Sequence, residues 1–168
     1  QIAGMTVKFA RGTDEGNNAD IRKAVERLME ILPPRFAQKL TEIEIRVTTP
    51  DVETCSRMDG PPHVVGCFQL SWIEIIGVGV SKHPCGYIYT LAHEVGHFLG
   101  RRSFADGRHY YTKFRQFLAP EGLLLERPPG SYAATVYAED FAESFAMFLL
   151  YDGFERTHPM RFEFFSTI

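Results

Sequence analysis

The sequence is short of most features that would assign it a partner at sight. It has three cysteines, Cys55, Cys67 and Cys85. None stands in a C-x-x-C pair, which speaks against a structural thiolate zinc site. A Cys55–Cys67 bridge with Cys85 free and three unpaired thiols both fit the spacing. Charge of one sign is missing too: 18 Lys and Arg against 21 Asp and Glu leave a formal charge of −3. No block of like charges occurs, so neither a nucleic acid nor an anionic membrane is expected as partner. No apolar run approaches the ~18 residues that would span a bilayer. The first ten residues, Q-I-A-G-M-T-V-K-F-A, lack the charged-then-apolar order of a signal peptide. A secreted chain trimmed before this point would look the same. Repeats, low-complexity tracts and linkers are absent. With 45% hydrophobic and 23% charged residues in 168, an ordinary globular chain with one core is expected. We read residues 1–168 as a single domain and a monomer, β-rich over 1–85 and helical over 86–168.

Local patterns supply the order of elements. Met5 to Phe9 alternates as a strand, and the polar run Arg11 to Asn18 reads as a loop. Ile21, Val25, Leu28, Met29 and Leu32 recur at helical spacing until Pro33-Pro34 stops them. Glu42 to Val47 alternates as a second strand. Asp51 to Pro62 is irregular, and Val64 to Val80 reads as one or two strands with glycine bends. Gly86 to Leu99 reads as a helix, with Gly100 at the left-handed position past its end. His109 to Leu118, Tyr137 to Tyr151 and Pro159 to Ile168 complete the set as helices. Strands first and helices afterwards predict an α+β fold, not a doubly wound parallel sheet.

Chemistry concentrates in T-L-A-H-E-V-G-H-F-L-G, Thr90 to Gly100. Positions four apart lie one above the other on a helix, so His93 and His97 can aim two imidazoles at one ion. Glu94 is turned about 100° from His93, out of line for ligation but able to reach a water on the metal's open side. Two ligands plus a general base is the mechanical content of H-E-x-x-H. Catalytic zinc takes three protein ligands and keeps one position open. The long extension that would supply a third histidine is missing, because Ser103 stands at its place. Y-A-E-D-F-A-E-S-F-A offers a carboxylate instead. Glu139 and Glu143 lie one turn apart on one face there, and Phe141, Phe145 and Phe148 form the apolar stripe. Glu139 is the expected third ligand. Glu143 is the expected acceptor for the far N–H of a ligand histidine, a bond that fixes its tautomer. Tyr132 precedes Glu139 by seven residues, and its phenol could donate to an oxyanion over the metal.

The segment S-Y-A-A-T-V-Y-A-E-D-F-A-E-S-F-A, Ser131 to Ala146, resembles the second-helix signature of the anthrax lethal factor catalytic domain. It resembles that of the secreted bacterial Pro-Pro endopeptidases more closely still. In both, a tyrosine stands seven residues before the ligand glutamate and a second glutamate follows four later. Tyr132, Glu139 and Glu143 match that register, and His93, Glu94 and His97 match the first helix. The order of elements from Met5 to Val47 is similar as well.

The resemblance implies a zincin-like fold and a secreted zinc endopeptidase, with Glu94 as base and Tyr132 as oxyanion stabiliser. It implies that Gly66 to Gly77 is an edge strand holding the substrate peptide, with Gly66, Cys67 and Phe68 in contact. His83 has a counterpart ahead of the active-site helix, at a spacing different by two residues. A preference for proline at the cleaved bond is also implied. The loop associated with that preference is short here, Asp51 to Pro62, and lacks the family's tryptophan; the only one is Trp72. The alternatives are a lethal-factor-like effector peptidase with a non-proline target, and a catalytically silent zincin-fold module that binds peptide.

Overall fold

The computed structural model describes residues 1–40, 43–48, 66–68, 72–76, 86–104 and 106–168. Four strands, β1 (Thr6–Phe9), β2 (Glu44–Thr48), β3 (Gly66–Phe68) and β4 (Trp72–Ile76), form one sheet in the order β1-β2-β4-β3. The first two pairings are parallel and the last is antiparallel. Seven helices accompany them among the described residues: α1 (Glu15–Ile31), α2 (Pro34–Ala37), α3 (Tyr87–Gly100), α4 (Tyr110–Leu118), α5 (Tyr137–Leu150), α6 (Phe154–Thr157) and α7 (Pro159–Thr167). The arrangement is α+β, a small mixed sheet early in the chain and helices later. No described helix is long and apolar enough to cross a membrane. Chain contacts divide the molecule into two compact units, Gln1–Glu94 and Val95–Ile168. The division falls inside α3, which runs through it unbroken.

In the first unit, α1 makes the crossover that parallel neighbours β1 and β2 require. The helix begins at Glu15, earlier than the loop expected over Arg11 to Asn18. Asp14 caps it by accepting from the Asn17 backbone N–H at 2.9 Å. Asn18 Nδ2 donates to Thr13 Oγ1 at 2.9 Å, so the polar run builds a first helical turn. Ile21, Ala24, Val25 and Leu28 form its buried stripe. On the sheet, Ile45 sits beside Ile73 in register, and Ile45, Val47 and Ile73 are all fully buried. The reading of Gly66 to Gly77 as one edge strand needs correction. Of these two strands only β3 is at an edge, whereas β4 pairs on both sides, with β2 and with β3. Burial pushes the Tyr87 phenol, at the start of α3, above its usual pKa; the nearby Asp20 and Asp14 add to the effect.

The second unit is built on phenylalanine. Phe114 of α4, Phe141 and Phe145 of α5 and Phe165 of α7 are buried to 1% exposure or less. Their rings meet mostly edge to face, as in Phe114–Phe141 at 5.2 Å and Phe141–Phe165 at 5.1 Å between centroids. Such pairs add about 0.5–1.5 kcal/mol each beyond the area they bury. Arg161 of α7 is wholly buried among them. Its Nε and one terminal nitrogen donate to the two Asp140 oxygens at 2.9 and 2.6 Å. The other terminal nitrogen donates to the Glu126 backbone and carboxylate oxygens, both at 3.0 Å. Glu126 also accepts the Met160 and Arg161 backbone N–H groups. The loop before α5 is thereby tied to the start of α7, and α7 to α5.

Candidate metal centre

Helix α3 carries both histidines because Leu91, Ala92, Val95, Phe98 and Leu99 give it an apolar surface on nearly every side. Each of these is at most 2% exposed. His93 and Glu94 are buried with them, at 8% and 5% exposure. One turn on, the His97 side chain is 14% exposed, and its Nε2 faces Glu139 Oε2 of α5 at 3.3 Å. Helices α3 and α5 come this close because each presents its smallest residue. A Cβ on Gly96 would lie 2.8 Å from the Ala142 Cα and 3.2 Å from the Ala142 carbonyl oxygen.

Ligand atoms of His93, His97 and Glu139 all lie within 4.8 Å of one another. Among the described residues this is the one group of three or more His, Cys, Asp or Glu that meets the condition. Glu94 is not part of it. Two imidazole nitrogens and a carboxylate oxygen are donors that zinc accepts. A tetrahedral ion with bonds of about 2.0–2.2 Å sets neighbouring donors about 3.4 Å apart. The 3.3 Å between His97 and Glu139 already has that value. The donor set and its spacing therefore fit a divalent ion.

The far side of His97 meets helix α4. Its Nδ1 lies 3.0 Å from the hydroxyl of Tyr111 on α4, and that hydroxyl donates to the His97 backbone carbonyl at 2.9 Å. Both ring nitrogens of His97 thus have a polar neighbour, Glu139 on one side and Tyr111 on the other. Glu143 stays one turn beyond Glu139 on α5, half-buried. Gly100 departs from its assigned place. It is the last residue of α3 and is not left-handed. What it supplies is room, since a Cβ there would run into the Tyr111 ring.

Tyr111 is delivered by a tight connection between α3 and α4. Tyr110 N–H donates to the Arg102 carbonyl at 3.0 Å and Phe104 N–H to the Arg108 carbonyl at 2.9 Å. Lys113 and Arg108 converge on Asp106 and hold its carboxyl far below the usual carboxylate range. Tyr111 carried no signal in the sequence beyond an i, i+14 separation from His97. No periodicity marks a hydrogen bond between helices.

Tyr132 lies in a turn of residues 131–135 that runs directly into the α5 N-cap, Val136. Its carbonyl accepts from the Thr135 backbone N–H and hydroxyl, and the residue is 53% exposed. Gly66, Cys67 and Phe68 constitute edge strand β3, paired antiparallel with Ile75, Glu74 and Ile73. His83, Cys55, Cys85 and the Asp51 to Pro62 loop lie outside the described residues. Comparison with protein-family models and with curated proteins returns no match to this chain.

Proposed function

We propose that the chain is a zinc-dependent endopeptidase of zincin-like fold that cuts an extended peptide or protein segment. The observation that carries this reading is the meeting of His93, His97 and Glu139 from two helices, with buried Glu94 next in sequence to the first ligand. A bound zinc would lower the pKa of a water toward about 7 and polarise the substrate carbonyl. His93 and His97 would hold the ion from α3 and Glu139 from α5. Glu94 accepts the proton of the attacking water on its carboxylate and returns it to the leaving nitrogen. Its burial keeps that proton from bulk solvent. Tyr132, on the turn leading into the ligand helix, is assigned as donor to the oxyanion. The side of β3 away from β4 takes the substrate backbone by strand addition, and residues 66–68 and His83 are assigned to that role.

Proline around the scissile bond is part of the proposal and rests on the resemblance of Ser131 to Ala146 to the Pro-Pro endopeptidases. A proline nitrogen has no N–H to give to a strand ladder, so β3 would grip only flanking residues. A peptide library incubated with the zinc-loaded chain tests both levels. Cleavage with proline enriched on both sides of the cut is expected. Cleavage indifferent to proline removes the specificity and favours an effector-type peptidase. Absence of cleavage with peptide binding intact, and no difference between the native chain and Glu94→Gln, leaves a binding module and ends the peptidase reading.

A further inference from the structure

We infer that Tyr111 is a positioning residue that fixes which nitrogen of His97 faces the metal. This rests on the reading of His97 as a ligand and adds a residue that the H-E-x-x-H pattern does not contain. The phenol has one proton and stands within hydrogen-bond distance of two groups on the same residue, Nδ1 at 3.0 Å and the backbone carbonyl at 2.9 Å. If the proton went to Nδ1, two oxygens would face each other at 2.9 Å with no hydrogen between them. The arrangement that satisfies both contacts runs from Nδ1–H to the phenol oxygen, and from the phenol O–H to the carbonyl. The ring proton is then on Nδ1, and the Nε2 lone pair points toward Glu139, 3.3 Å away.

The carbonyl end of this relay matters as well. His97 lies in the last turn of α3, and one hydroxyl that engages both its carbonyl and its ring holds the helix end and the ring together. Gly100, one turn from Gly96, leaves the space in which the phenol ring lies. Two glycines on α3 thus serve one site. Gly96 admits α5 with Glu139, and Gly100 admits α4 with Tyr111.

Tyr111→Phe removes the hydroxyl and keeps the ring against Gly100. Nitrogen-15 NMR of the metal-free chain at about pH 8.5, where ordinary imidazoles are neutral, shows which His97 nitrogen carries the proton. The native chain should carry it on Nδ1 alone, and the variant should show a mixture of the two tautomers. Zinc titration should give a Kd about 10–100-fold weaker for the variant, the usual loss when a partner behind a ligand is removed. A proton on Nε2 of the native chain, alone or together with Nδ1, overturns the inference. So does a variant that binds zinc within two-fold of native. A native chain that binds no zinc defeats the metal reading instead, and the ring-proton measurement still decides the role of Tyr111.

Discussion

Gly96→Ala separates two effects that oppose each other at one atom. In the middle of an exposed helix the change would stabilise by about 1 kcal/mol, because glycine loses more backbone freedom on folding than alanine. At this position the new methyl would lie 2.8 Å from the Ala142 Cα. Carbon atoms rest at about 3.5–4.0 Å, so the two helices must part locally by about 0.7 Å. Overpacking of this kind costs about 1–3 kcal/mol. The net expectation is a loss of about 0–2 kcal/mol in the metal-free chain, a modest change in the urea midpoint. The metal site should suffer more. Ala142 is three residues from Glu139 on the same helix, so separation at one moves the other. Ligand distances tolerate about 0.2 Å of error, and a shift three times larger should weaken zinc binding by at least an order of magnitude. Urea unfolding without metal, paired with a zinc titration against a chelator of known affinity, measures both terms. A variant that gains about 1 kcal/mol and binds zinc as tightly as native would show that Gly96 is not where the helices touch.

Glu139→Ala should lose most of the zinc affinity and also the zinc-dependent rise in Tm, while the metal-free Tm changes little; full zinc content in that variant would assign the third ligand elsewhere. Arg161→Ala leaves Asp140 and Glu126 facing each other in the interior without their cation. Urea unfolding should show a loss of about 3–5 kcal/mol, and a loss under about 1 kcal/mol would mean the cluster is wetter than its burial indicates. Burial holds the His158 pKa below its ordinary value, with Arg161 acting in the same direction and Glu126 and Asp140 opposing it. The unfolded chain therefore binds this proton more readily. Its contribution to stability is complete above the ordinary histidine pKa of about 6.5 and is lost as pH falls below it. The difference in urea midpoint between native and His158→Asn should change across that window, and a constant difference would remove His158 as the source.

Periodic features were legible in the sequence, and those that depend on contact between distant segments were not. The meeting of His93, His97 and Glu139 could be read because the two histidines obey helical spacing and all three stand in apolar company. The helices α3 and α5 carry nine buried apolar residues from Leu91 to Ala146, and such surfaces fix their own period. Tyr111 escaped because its place is set by the backbone bonds of Tyr110 to Arg102 and of Phe104 to Arg108 and by the room at Gly100. The same glycine was misassigned, since a glycine after an apolar helix satisfies the rule for a left-handed cap equally well as a sequence. Arg161 gave no warning either, as one arginine among the phenylalanines of the last helix suggests a solvated edge. It is buried because Asp140 and Glu126, 21 and 35 residues away, surround it with acceptors. Of the one or two strands expected over Val64 to Val80 there are two, β3 and β4, and pairing to β2, not composition, decides which of them is internal.

The central claim is that α3 and α5 share one divalent ion. Crystals of the native chain grown with zinc and measured on either side of the zinc absorption edge test it most directly. One anomalous peak is expected, within about 2.0–2.2 Å of a nitrogen of His93, Nε2 of His97 and an oxygen of Glu139. A peak that omits Glu139, or none near α3 at saturating zinc, would contradict it.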